Sequence, residues 1–192
     1  QDSQSRKFND FYPSISFNAH KGKFMFQLNY ATKTSRPSYS LLSNAVTYID
    51  RYSYTKGNPY LIPEINHDLS LATVWNFLQF AATYQVTQNA IVHLGTHQEG
   101  NENGILLYNT NFDRDIPTLQ AMLSASPTIS FWYPRMTIGV QKQWLSVEYL
   151  GKEKDMSKPI PFLSFGSSFQ IPKGFLLDFD YNFTGTGSQR IY

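Results

Sequence analysis

Alternation of apolar and polar residues with a period of two constrains this chain more than any other feature. At residues 175–184 Phe175, Leu177, Phe179, Tyr181 and Phe183 oppose Leu176, Asp178, Asp180 and Asn182. Phe24, Phe26, Leu28 and Tyr30 likewise oppose Met25, Gln27 and Asn29, and Leu78, Phe80, Ala82, Tyr84 and Val86 oppose Gln79, Ala81, Thr83 and Gln85. Extended backbone sends successive side chains to opposite faces, so each stretch predicts a half-buried strand. No stretch sustains a helical period. The expected class is all-β and antiparallel.

The connections add the topology. Short turns are expected at 20–23, 75–76, 133–135 and 172–174, where turn formers interrupt the alternation. Longer polar links are expected at 34–66, 96–104 and 151–159. The strands between them fall near 9–19, 22–33, 66–74, 77–95, 105–131, 136–150, 160–171 and 174–184, about eight in all. Short and long connections alternate strictly, which in an up-and-down antiparallel sheet puts every short turn on one rim and every long loop on the other. Outer-membrane barrels have this asymmetry, because hydrocarbon admits only closed hydrogen bonding and an apolar residue at every second position. Trp75, Phe77, Trp132, Tyr133 and Phe175 fall near the short-turn rim and suit an interfacial girdle. The rival is a soluble sandwich, whose inner faces also alternate; strand length and a neutral-polar opposite face favour the membrane barrel.

Composition narrows the remaining classes. Only 16% of the 192 residues are charged, against about 25% in an average soluble chain, while there are 13 Tyr and 15 Phe. The net charge is +2 with the basic residues scattered, which argues against a nucleic-acid surface. Without cysteine there is neither a disulfide framework nor a thiolate metal site. The first ten residues contain no apolar leader, so the chain reads as processed or as a piece of a longer one.

Residues 36–96 carry a more specific pattern. Arg36-Pro37-Ser38-Tyr39 ends a strand, a loop runs to Gly57-Asn58-Pro59-Tyr60-Leu61-Ile62-Pro63-Glu64, and an alternating strand returns. This closely resembles the barrel of TonB-dependent outer-membrane receptors, in the outer-membrane β-barrel branch of that superfamily. The family signature lies on Gly57, Asn58, Pro59, Leu61, Pro63 and Glu64. The stretch from Ile171 to Phe175 resembles the family's Leu-Pro-Lys-Gly-Trp hairpin, with Ile171 and Phe175 as conservative departures, and residues 11–31 resemble the hairpin that precedes the Arg-Pro strand. The resemblance implies a single piece of receptor barrel over 1–192, with 34–66 as a long outer loop and the plug domain and remaining strands absent. It further implies a Gram-negative outer-membrane location and uptake of a nutrient of siderophore, glycan or peptide type. The implied partners are outer-membrane lipid, a plug domain, the TonB energy complex and the nutrient, with no nucleic acid. Two alternatives stay open: a sandwich-like carbohydrate-binding module, and a small standalone barrel with a structural or adhesion role.

No catalytic site, cofactor or metal site is expected. His93 and His97, with Glu99, share a strand face but stand about 13 Å apart, too far for one metal. The carboxylate pairs Asp113/Asp115 and Asp178/Asp180 have glycosidase-like spacing, at about 6.6 Å on an extended strand. Polar residues pointing into a wet lumen account for both more simply, and Arg114 could balance the first pair. The best ligand-contact candidates are Arg36, Tyr39, Tyr48, Arg51, Tyr52 and Tyr54 in the Tyr-rich outer loop, since tyrosine offers stiff, large contact area with a polar tip. An open eight-strand sheet would expose two edges and an apolar face. Alone it is therefore expected to curl into a small barrel or to associate with another copy.

Overall fold

Tight hairpins set the register of the whole chain. The computed structural model describes residues 11–98, 101–149, 152–171 and 174–187. Lys21 pairs with Phe24 across Gly22, whose φ is 59°, joining β1 (Ser14–Lys21) to β2 (Phe24–Ser35). Trp75 pairs with Leu78 across Asn76, at φ 56°, joining β5 (Glu64–Trp75) to β6 (Leu78–Gln88). Two-residue hairpins need a positive φ at the turn, which glycine adopts freely and asparagine tolerates.

The first long connection holds a one-turn helix, α1 (Tyr39–Leu42), and the short strands β3 (Val46–Tyr48) and β4 (Ser53–Lys56). The second holds the hairpin β7 (Ile91–Gln98) and β8 (Asn101–Asn111), and leads to β9 (Ile116–Ala125) and β10 (Trp132–Gln143). The third holds β11 (Ser146–Tyr149) and β12 (Lys152–Asp155), and leads to β13 (Ile160–Ile171) and β14 (Phe175–Thr184). Eight strands form one antiparallel sheet in the order β1-β2-β5-β6-β9-β10-β13-β14. The expected eight-strand meander is therefore present, with its short turns on one rim and long connections on the other.

Three expected strands were drawn too long. The stretch 77–95 breaks at Asn89, where φ is 53°, and 105–131 breaks at 112–115. The stretch 136–150 breaks at 144–145. At the first and third breaks the chain leaves the main sheet for a loop sheet, and at 112–115 it returns from one. The turn expected at Tyr133–Arg135 is also displaced. The reversal uses Ser130, at φ 54°, inside an Ile129–Trp132 bridge, and Tyr133 to Arg135 belong to β10. Pro134 is tolerated there because β10 pairs with β9 only from Met136 onward, so the proline faces a neighbour, β13, on one side alone.

Register converts the alternation into two continuous faces. Phe26, Thr73, Phe80, Leu123, Ile138, Leu163 and Phe183 are neighbours in one row across seven strands. The next row of the same face runs Phe17, Leu28, Leu71, Ala82, Ala121 and Val140. The opposite face carries rows such as Asn29, Ser70, Thr83, Gln120 and Gln141. Among the described residues no layer covers the apolar face: Phe17, Leu177 and Phe179 are each between 57% and 58% exposed. Apolar surface of this extent marks an interaction with something apolar. A sandwich would have buried it.

Aromatic residues border that face at both ends. Trp75, Phe77 and Phe175 stand exposed at the short-turn rim. Trp132 stacks on Phe169 there and donates its indole N–H to Ser167 Oγ at 2.7 Å. Tyr133 is an exception to the expected girdle, since its register partner Ser168 places it on the polar face, where its hydroxyl meets Gln170. At the other rim stand Tyr30, His67, Tyr84 and Trp144, with Tyr30 Oη 2.9 Å from His67 Nδ1. Trp75 and His67 are about 26 Å apart along β5, or roughly 20 Å in height at a 40° tilt, near the ~25 Å apolar band of a membrane barrel.

The sheet does not close. β1 and β14 each have one neighbour, and every residue of both is exposed. Of the two outcomes expected for the piece alone, the small closed barrel is not formed, and the sheet ends at the edges of β1 and β14 that a second copy could pair with.

On the polar face Gly139 lies under the Phe162 ring, and a Cβ there would also stand 2.7 Å from the Ala121 carbonyl oxygen. Gly139→Val is expected to displace the ring and cost about 1–3 kcal/mol in a denaturant titration, while Phe162→Leu together with it recovers part of the loss.

Candidate functional site

The first and second long connections build a sheet of their own, and the third forms a separate two-stranded one. β4 pairs parallel with β8, giving the order β3-β4-β8-β7. Strands from the first and second outer loops are thereby joined edge to edge.

The segment Gly57–Glu64 fastens this assembly to the wall. Asn58 N–H donates to the Leu41 carbonyl at 2.6 Å, satisfying a group that the end of α1 leaves unpaired. Its side chain accepts from Tyr60 N–H at 2.9 Å and donates to the Asn109 carbonyl at 3.1 Å, reaching the second loop. Gly57 packs so closely on α1 that a Cβ would lie within 2.9 Å of the carbonyl oxygens of Ser40, Leu41 and Ser43. Leu61 is buried. Glu64 accepts the Ile91 N–H at 2.5 Å and so ties the first strand of the second hairpin to β5.

Two asparagines complete the fastening, and neither stood out in the sequence. Asn111 Oδ1 accepts the Ile62 N–H, while its Nδ2 donates to the carbonyls of Ile62 and Asn89 at 2.9 and 2.7 Å. Asn89 supplies the left-handed turn that lets the chain leave β6. Below them Ala90, Ile116 and Leu145 form a small buried cluster against Phe112, at the roots of the second and third long connections.

The expected ligand-contact residues separate into two groups. Tyr48 and Tyr54 face each other across β3 and β4 with ring centroids 5.4 Å apart, and Arg51 lies 5.7 Å from the Tyr52 ring centroid at the intervening turn. These four belong to one hairpin. Arg36 stands at the end of β2 and Tyr39 opens α1, exposed and outside that hairpin. Asp50 shapes the turn: the Tyr52 N–H donates to its carboxylate at 2.8 Å and holds its pKa below the ordinary value. Asp155, in β12, is lowered in the same sense by the Ser157 hydroxyl and N–H, with a smaller contribution from the charge of Lys142. A depressed carboxylate stabilises the fold fully at neutral pH and loses that contribution only as pH falls through the lowered value.

The other candidates stay scattered. His93 lies in β7 opposite Asn109, whereas Glu99 and the side chain of His97 lie outside the described residues. Asp178 and Asp180 point to the polar face opposite Ser168 and Gly166. Asp115 accepts from Gln88 Nε2 at 3.3 Å, and Arg114 donates to Ser146 Oγ at 3.4 Å.

A meander with one apolar face bordered by aromatics, one polar face, and long connections gathered at one rim is the wall of an outer-membrane β-barrel. The chain matches the outer membrane protein beta-barrel family across residues 1–192 and belongs to it, which places it in the outer membrane. Comparison with curated proteins and with solved structures returned no match.

Proposed function

We propose that the chain forms wall and outer-loop surface of a TonB-dependent receptor, which takes up a nutrient across a Gram-negative outer membrane without covalent chemistry. One observation carries this reading. The Gly57–Glu64 segment, where the sequence resembles that superfamily, fastens two long connections into a single body at one rim of the wall. Such a body, with exposed Tyr48, Arg51 and Tyr52 beside a half-buried Tyr54, suits capture of a siderophore, glycan or peptide. In the whole receptor the polar face would line the space occupied by a plug, which the TonB complex moves. The free edges of β1 and β14 favour a place in a larger wall over a standalone eight-strand barrel.

The test is uptake by cells carrying the full-length protein, with and without the inner-membrane energy complex. Uptake that persists undiminished without energy coupling would overturn the reading. Replacing Tyr52 and Tyr54 together by alanine is expected to weaken capture at least tenfold, since aromatic anchors commonly contribute more than about 1 kcal/mol each. Unchanged affinity in a direct binding titration would move the capture site elsewhere.

A further inference from the structure

Charge is sorted between the two faces of the wall. By register, Lys33, Glu64, Asp68, Arg135, Asp178 and Asp180 all lie on the polar face. On the eight wall strands only Lys21 and Lys142 accompany the apolar residues, one at each rim. The membrane-facing side therefore carries lysine at its ends and no carboxylate.

Lys142 has a built surrounding. It shares a row with Leu119 and Tyr84. Its Nζ lies 4.8 Å from the Trp144 ring centroid, and Tyr84 meets that indole edge-on at 6.5 Å. The backbone of Trp144 is held by its amide N–H, which donates to the Pro117 carbonyl at 2.9 Å. Among the described residues no carboxylate ion-pairs with Lys142; Asp155 feels its charge at longer range, while the Ser157 N–H donates to that carboxylate at 2.8 Å. Outward lies the long-loop rim; inward on the same face lie Ala121, Leu123 and Phe80.

We propose that Lys142, Trp144 and Tyr84 form a contact site for the headgroup phosphate of an anionic lipid in the outer leaflet. The ammonium meets the phosphate, the indole and phenol rings lie at the headgroup boundary, and the apolar rows beneath receive the acyl chains. A free phosphate would have nothing to place on those rows. A lysine that merely snorkels would anchor the wall in any lipid, without preference for charge. The inference rests on the membrane-facing wall and is independent of the transport reading.

The experiment uses the full-length protein reconstituted in phosphatidylcholine discs containing about one-tenth phosphatidylglycerol, with retained lipid measured by mass spectrometry after partial delipidation. Wild type and Lys142→Arg should retain phosphatidylglycerol preferentially. Lys142→Gln should lower that retention about fivefold and leave phosphatidylcholine unchanged. The preference should shrink in about 1 M salt, where charges are screened beyond ~3 Å, and millimolar inorganic phosphate should not displace the lipid. Circular dichroism establishes that each variant keeps its sheet. Equal retention by Lys142→Gln and wild type, loss in Lys142→Arg as well, or displacement by inorganic phosphate would each overturn the proposal.

Discussion

Replacing Leu123 by arginine is expected to remove about 1–3 kcal/mol of stability, measured by denaturant unfolding of the protein from lipid vesicles. Leu123 lies on a central strand, between Phe80 of β6 and Ile138 of β10, on the exposed apolar face. It is inward of the outer aromatic border at Tyr84 and of the inner one at Trp75 and Phe77, so the guanidinium would have to enter hydrocarbon. Gln120 is the matched control. It sits three residues earlier on the same strand, between Thr83 and Gln141 on the polar face. Gln120→Arg should change stability by no more than about 0.5 kcal/mol, as exposed substitutions commonly do. Equal effects at the two positions would mean that the apolar face does not meet lipid. The same pair made in detergent should show a smaller difference, because a micelle deforms around a charge more readily than a bilayer does.

The sequence made the wall readable because period two is a local signal that survives in every strand. Phe175 to Phe183 needed no partner to declare a face. It could not show where a strand changes sheets. Apolar residues continue from Val86 past Asn89 to Ile91 and Val92, and only the φ of 53° at Asn89 ends β6. Nor could it show β4 lying parallel to β8, since the two are far apart in sequence and Ser53–Lys56 is too short to display a period. The turn beside Tyr133 was misplaced for a related reason. Proline is a strong local turn former, but at Pro134 the missing N–H falls where β9 has already ended. In the loops the tyrosines and arginines were legible from composition, and neither their pairing nor the residues that position them were. Asn89, Asn109 and Asn111 look like ordinary loop asparagines until the carbonyls and amides they meet are known.

Gly57→Ala is expected to release the outer loops while leaving the wall intact. The added methyl would stand against the carbonyl oxygens of Ser40, Leu41 and Ser43, which are backbone atoms and cannot rotate aside. Relief requires α1 to move away from Gly57, and that movement breaks the 2.6 Å bond from Asn58 N–H to Leu41. Asn58 also holds the second loop through Asn109, so the disturbance spreads from the first connection to the β7–β8 hairpin. Overpacking of this kind costs about 1–3 kcal/mol. That amount is small beside the stability of a hydrogen-bonded wall but comparable with what holds a surface loop closed. The amides of Asn58, Leu61 and Ile91 should therefore exchange roughly ten- to a hundredfold faster, while those of Leu71, Ala82 and Ala121 keep their protection. Asn111→Ala should give the same pattern without any steric clash, because it strands the N–H and carbonyl of Ile62 and the carbonyl of Asn89. If exchange rises in the wall strands as strongly as in the loops, the two sheets unfold as one unit. If it rises in neither, the Gly57–Glu64 segment is a connection only, and the loop sheet is held by the β4–β8 pairing alone.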